Sequence, residues 1–214
     1  MKFRHQFLSS MICFMVIFVA ICSPAKAIEH FGQLDCWYSD SNSIGDWSST
    51  VKIYRGTTGA GFGNSNIINY CNAAMNAWKS ESTFSITSSN NFGIVFSDAT
   101  RAEANANGLP QNLLGITFIT KQTRIGIATY AGTTKNLYEV KQAAIYLIYE
   151  PGISAKKWKS VSAHEMGHAL GYYGHNTTAT SSSPSLMHPN SDLFYDQWHL
   201  VAPTARDLKH MKNF

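Results

Sequence analysis

The sequence predicts an α+β domain, and three observations carry that expectation. β-rich runs dominate up to about residue 149. Two stretches, about 65–79 and 154–170, read as long helices. Hydrophobic residues make up 44% and aromatics 13% of the 214 residues, against 14% charged, which supplies a core and excludes a disordered chain. No internal repeat and no long linker divides the chain, so one domain is expected over residues 28–214.

The elements follow in chain order. Residues 51–54 alternate like a strand, and 56–66 form a glycine-rich loop. Ile67, Ile68, Cys71, Ala74, Met75 and Trp78 recur at helical spacing, predicting an amphipathic helix over about 65–79. Residues 92–96, 114–120, 124–130 and 143–149 are β-rich. Ser154 can cap a helix running to about residue 170. Residues 176–185 are polar and loop-like. Thr204 can open a last helix, with Asp207 three residues on and Leu208 and Met211 on one face. The glycines at 59, 61 and 63 fail a dinucleotide fingerprint, because Asn64 stands where its last glycine is needed.

The N-terminus predicts export. Lys2, Arg4 and His5 precede an apolar run over 7–21, and Pro24-Ala25-Lys26-Ala27 places small residues where a signal peptidase cuts. Residues 1–27 are therefore expected to be a signal peptide. The rest would be secreted, or periplasmic in a Gram-negative bacterium, without stable membrane association. The formal charge is +4, but without the three basic residues of the first 26, 14 basic side chains face 13 acidic ones. A body so close to neutral argues against nucleic-acid binding. Beyond the signal only Cys36 and Cys71 remain, a pair that an oxidising compartment would join as a disulfide.

The chemistry lies in His164-Glu165-Met166-Gly167-His168-Ala169-Leu170-Gly171-Tyr172-Tyr173-Gly174-His175. Histidines four apart on a helix share one face, so His164 and His168 can reach one tetrahedral Zn²⁺ at about 2.0–2.1 Å. Glu165 is placed to take a proton from a zinc-activated water. Gly171 can adopt positive φ, stop the helix and turn the chain so that His175 arrives as third ligand. Three protein ligands with an open fourth position make a catalytic arrangement rather than a structural one.

This stretch resembles the metzincin signature, H-E-x-x-H-x-x-G-x-x-H followed by a Met-turn, and HEMGHALG is close to what matrixins carry. The resemblance implies a zincin-like domain: a twisted, mostly parallel sheet with an antiparallel edge strand, two long helices and a C-terminal helix. Ser185-Leu186-Met187-His188-Pro189 is similar to the Met-turn, which makes Met187 the floor under the metal. Leu113 to Phe118 resembles the edge strand above the cleft, so substrate would lie along Leu114, Gly115, Ile116 and Thr117, adding a strand. Residues 189–198 would wall the pocket beyond the scissile bond, with Leu193, Phe194 and Tyr195 favouring apolar side chains.

Three departures stand out. The family spacing puts the third ligand at Gly174, so His175 is one residue late; His188, His199 and Asp192 are the alternatives. Pro189 occupies the slot where some metzincins carry a tyrosine, which leaves Tyr195 as an oxyanion aid or a wall residue. No matrixin propeptide is visible. Residues 28–45 could serve as a short latency segment, with Asp35 or a Cys36 thiolate capping zinc in place of the disulfide.

The expected activity is that of a zinc metalloendopeptidase acting on protein or peptide substrates as a monomer. The alternative is a secreted binding or adhesion protein on the same scaffold. No glutamate follows Glu165, which disfavours zincins that use a downstream glutamate ligand. Ca²⁺ often accompanies the family, but no oxygen-ligand run supports it here. Asn176-Thr177-Thr178 is a glycosylation sequon, and Lys156, Lys157 and Lys159 are expected on the solvated face of the active-site helix.

Overall fold

The computed structural model describes residues 27–29, 43–47, 50–56, 61–88, 91–130 and 133–211. Its strands are β1 (Ala27–Glu29), β2 (Ser43–Asp46), β3 (Val51–Arg55), β4 (Phe84–Ile86), β5 (Ile94–Ala99), β6 (Gly115–Tyr130) and β7 (Thr133–Ile148). The helices are α1 (Asn64–Ala77), α2 (Arg101–Ala106), α3 (Ala155–Ala169) and α4 (Ala205–Met211), with a π-helical segment at Asp192–Gln197. The signal-peptide residues before Ala27, and Asp35 and Cys36, lie outside the described residues. Ala27 itself belongs to β1, and residues 43–45 of the expected latency segment belong to β2.

The strands form one sheet in the order β4-β3-β5-β7-β6-β1, with β2 also on β7. Only β6 and β7 pair antiparallel among the described strands; every other pairing is parallel. The expectation of a mostly parallel sheet with one antiparallel strand at the cleft therefore holds. β7 divides its length between two neighbours: residues 136–139 pair with β2 and residues 143–148 with β5. β1 reaches only Ile127–Thr129 of β6, so residues 115–120 of β6 have β7 as their one described strand neighbour.

Side chains alternate across a pleated strand, and β7 divides accordingly. Ala143, Ile145 and Leu147 join the main core, whereas Ala144 and Tyr146 pack on the opposite face with Ala99. The main core adds Val51 and Ile53 of β3, Ile94 and Phe96 of β5, and the inner faces of α1 and α3. α1 buries Ile67, Tyr70, Cys71 and Ala74 at the predicted spacing. Cys71 is a fully buried thiol there, and desolvation pushes it up to about 12. α3 starts at Ser154, whose hydroxyl accepts from the Lys157 amide. It is buried nearly all round, as suits a central helix. Trp78 beyond α1 donates its indole N–H to the Ala163 carbonyl at 2.7 Å, tying the two helices together.

Five of the described elements were not expected from the sequence: β1, β2, β4, α2 and the π-helical segment. β4 is only three residues long. α2 carries a complete capping box, Thr100 with Glu103, which its sequence does signal. The runs expected at 114–120 and 124–130 are one strand, bulged near residues 120 and 125, and β7 begins ten residues earlier than expected.

Candidate metal centre

α3 delivers His164 and His168 one turn apart, and the chain then stops at Gly171. Tyr172 N donates to Gly167 O, Gly171 N donates to His168 O, and Gly171 has φ 114°, which is a Schellman stop with glycine at its left-handed position. The following turn carries the extra residue that separates His175 from the family spacing. Tyr172 goes inward and is fully buried, and Tyr173 packs over Gly45 and donates its hydroxyl to Gln122 Oε1. His175 then reaches back to the helix.

The three imidazoles converge. Nε2 of His168 lies 3.0 Å from Nε2 of His164 and 3.2 Å from Nε2 of His175. Ligand atoms of all three lie within 4.8 Å of one another. Nδ1 of His164 is 2.7 Å from the Leu186 carbonyl, and Nδ1 of His168 is 2.6 Å from the Tyr172 carbonyl. A carbonyl can only accept, so both protons sit on Nδ1 and both Nε2 lone pairs point at the common centre. Two such lone pairs at 3.0 Å repel unless a cation lies between them. Tetrahedral zinc at about 2.05 Å needs ligand nitrogens about 3.3 Å apart, close to what the imidazoles provide. The group can hold a metal ion. Desolvation, together with the neighbouring imidazoles, lowers the pKa of His164.

The alternatives for the third position are not part of this group. His188 Nδ1 accepts from the Asn190 amide, Asp192 pairs with Lys157, and His199 is exposed.

Glu165 follows the first imidazole and is 6% exposed. Thr117 donates its hydroxyl to Glu165 Oε2 at 2.7 Å and lies 2.9 Å from the Glu165 carbonyl. Burial raises the carboxyl to about 7, with the Thr117 hydrogen bond opposing. Gly115 is bare where this carboxylate passes: a Cβ there would meet Glu165 Cγ at 2.7 Å and Oε1 at 2.8 Å.

Met187 is fully buried and packs against α3 at Gly167. Gly167 permits this, since a Cβ on it would fall 2.5 Å from Met187 Sδ and 2.7 Å from the Trp78 ring. The turn that carries Met187 is held by Asp207 of α4. This buried carboxylate accepts from the Ser185 hydroxyl, from Leu186 N at 2.9 Å and from Thr204 N at 2.8 Å. The sequence signals the Thr204 cap; the tie to residues 185–186 depends on a contact across the fold. Leu186 in turn supplies the carbonyl that orients His164.

The three imidazoles and Glu165 line an open cleft of about 1090 Å³. Leu114, Gly115, Ile116 and Thr117 are among its lining residues. Phe194, missed as a metal-site neighbour, stacks on His164 with ring centroids 4.9 Å apart. Leu193 and Tyr195 do not line the cleft; Tyr195 packs against the core, with its hydroxyl 3.4 Å from Ser154 Oγ. Lys157 does line it, contrary to the expectation of a solvated position: its side chain is 12% exposed and pairs with Asp192 and Asp196. Asn176 of the sequon is 1% exposed, and its backbone N–H donates to the Met187 carbonyl. Cys36, the expected partner of Cys71, is outside the described residues. Among the described residues no helix is long and apolar enough to cross a membrane.

No protein-family model matches the chain, and no curated protein matches it. Two solved structures of myroilysin are similar to it. One is 17% identical over 59% of this chain and 50% of that one, with a TM-score of 0.31. The other is 15% identical over 84% of this chain and 77% of that one, with a TM-score of 0.28. The chain thus spans half the length of the first. At these values the chemistry of the site rests on its own geometry.

Proposed function

We propose that the protein is an exported zinc-dependent endopeptidase of the metzincin type. The observation that carries this reading is the convergence of the imidazoles of His164, His168 and His175, with Glu165 buried beside them at the cleft. His164, His168 and His175 would hold the ion. Zinc, when bound, supplies Lewis acidity for the scissile carbonyl and lowers the pKa of water to about 7.

The chain's own residues do the rest. Glu165 takes the proton from the attacking water and passes it to the leaving amine nitrogen. A carboxylate raised by burial to about 7 suits both halves of that transfer near neutral pH. Thr117 fixes its direction, and Gly115 gives it room. Phe194 and the Leu186 carbonyl hold the His164 ring in plane. The extended substrate pairs with the edge of β6 along Leu114, Gly115, Ile116 and Thr117.

The test uses the purified chain loaded with zinc, a casein substrate, a chelator and Glu165→Ala. Wild type is expected to digest casein, to stop on chelation and to recover with added zinc. Glu165→Ala should bind zinc with the same stoichiometry and cleave about 10²–10⁴-fold more slowly. Equal digestion by both would remove Glu165 from its role. Zinc binding without digestion by wild type would favour a binding protein on this scaffold.

A further inference from the structure

The cleft that holds His164 is lined by apolar and charged side chains together. Ile153, Val161 and Phe194 line it with Lys157 and Asp192, and the Asp192 carboxylate is its solvent-exposed end. Lys157 Nζ lies 3.1 Å from Asp192 Oδ1 and 2.7 Å from Asp196 Oδ2. One ammonium therefore faces two carboxylates, and the cluster carries a net negative charge. Exposure separates the partners further: the Lys157 side chain is 12% exposed, against 72% for Asp192 and 48% for Asp196. Burial disfavours the lysine's charge but both aspartates raise its pKa, so it stays protonated and engaged. The second oxygen of Asp192 accepts from no described residue. The other titratable groups lining the cleft are Glu165, the three imidazoles and Tyr173, whose hydroxyl is engaged by Gln122.

We infer that this pocket selects peptide substrates bearing a lysine or arginine side chain beside the scissile bond. The inference rests on the endopeptidase reading and adds a substrate class to it. A long basic side chain can lay its methylenes along Ile153, Val161 and Phe194 and bring its charge to the open oxygen of Asp192. An acidic side chain would meet Asp192 before Lys157. To reach the ammonium it would have to displace a carboxylate already bonded to it. A neutral apolar side chain gains the walls but leaves the end unanswered. The apolar preference expected from Phe194 is thus replaced by a preference for amphipathic cations.

The experiment compares peptides that differ at one residue flanking the scissile bond, each flank in turn, with arginine, norleucine or glutamate there. With the zinc-loaded wild-type chain, arginine should exceed norleucine in kcat/KM by about two- to fivefold at one flank, with glutamate the poorest. The ratio should shrink as salt is raised. Asp192→Asn should bring the arginine-to-norleucine ratio close to one, and Asp192→Lys should make glutamate the best of the three. Cleavage of the norleucine peptide without any charge preference, or a wild-type preference for glutamate, would overturn the inference and leave the peptidase reading intact. Failure to cleave any of the three by a chain that digests casein would overturn the inference alone, and failure on casein as well would remove both.

Discussion

Gly115 of β6 and Glu165 of α3 share one space: a single Cβ on the glycine would lie 2.7 Å from the glutamate's Cγ. Real Cβ atoms are not found so close, so a side chain at 115 must push the carboxylate away from the imidazoles. Gly115→Ala should therefore lower kcat/KM by about 10²-fold while zinc still binds, since misplacement by about 1 Å is worth that much. Zinc titration beside peptide kinetics checks it; unchanged kinetics would mean that Glu165 can shift without cost.

Thr117 acts through Glu165 rather than on substrate. Thr117→Val keeps the shape of the side chain and removes the hydroxyl that donates to Oε2. We expect about a tenfold loss in kcat with little change in KM, and Thr117→Ser should restore most of it. A loss confined to KM would instead make Thr117 a substrate contact.

Asp207 should matter at a distance from the cleft. Asp207→Ala leaves the Ser185 hydroxyl and the Leu186 and Thr204 amides without their acceptor and should destabilise the fold by about 3–5 kcal/mol. The milder Asp207→Asn should lower zinc affinity by about 10–100-fold, because Leu186 no longer holds the carbonyl that orients His164. Chelator competition measures the second effect, and unaltered affinity in a folded Asp207→Asn protein would contradict it.

His210 gives the fold a pH dependence. It is fully buried against Tyr172, and desolvation, helped by Lys135, holds its pKa down to about 3. In the unfolded chain a histidine titrates near 6.5. Between those values the unfolded state takes up a proton that the folded state refuses, so stability falls as pH drops below about 6.5 and stops falling near 3. In chelator-treated protein, urea midpoints at pH 7 and pH 4.5 should differ less for His210→Phe than for wild type. An equal difference would place the acid sensitivity elsewhere, first in His164.

What the sequence discloses is what is local. The pair His164 and His168 follows from the helical turn, the start of α3 from Ser154, and its stop from the left-handed position only Gly171 takes readily. His175 is legible despite its offset, because a turn beyond such a stop can hold one more residue. The hairpin of β6 and β7 was not legible at full length: residues 121–125 are polar or exposed, and their strand geometry comes from the partner strand. Nor was the Lys157 clasp, since two carboxylates some forty residues away turn a solvated position into a sheltered one. The bare face of Gly115 and the second role of Asp207 have the same origin: their meaning depends on what the fold brings opposite.

Asn176, sealed beneath the Met187 carbonyl, has a consequence for how the protein can be made. An oligosaccharide is attached to an asparagine side chain that the transferase can grip, and after folding this one is out of reach. A eukaryotic expression host would modify the sequon while the chain is still extended, and the bulky sugar could then never be tucked inside. Bacterial production, or Thr178→Ala to erase the sequon, avoids that dead end.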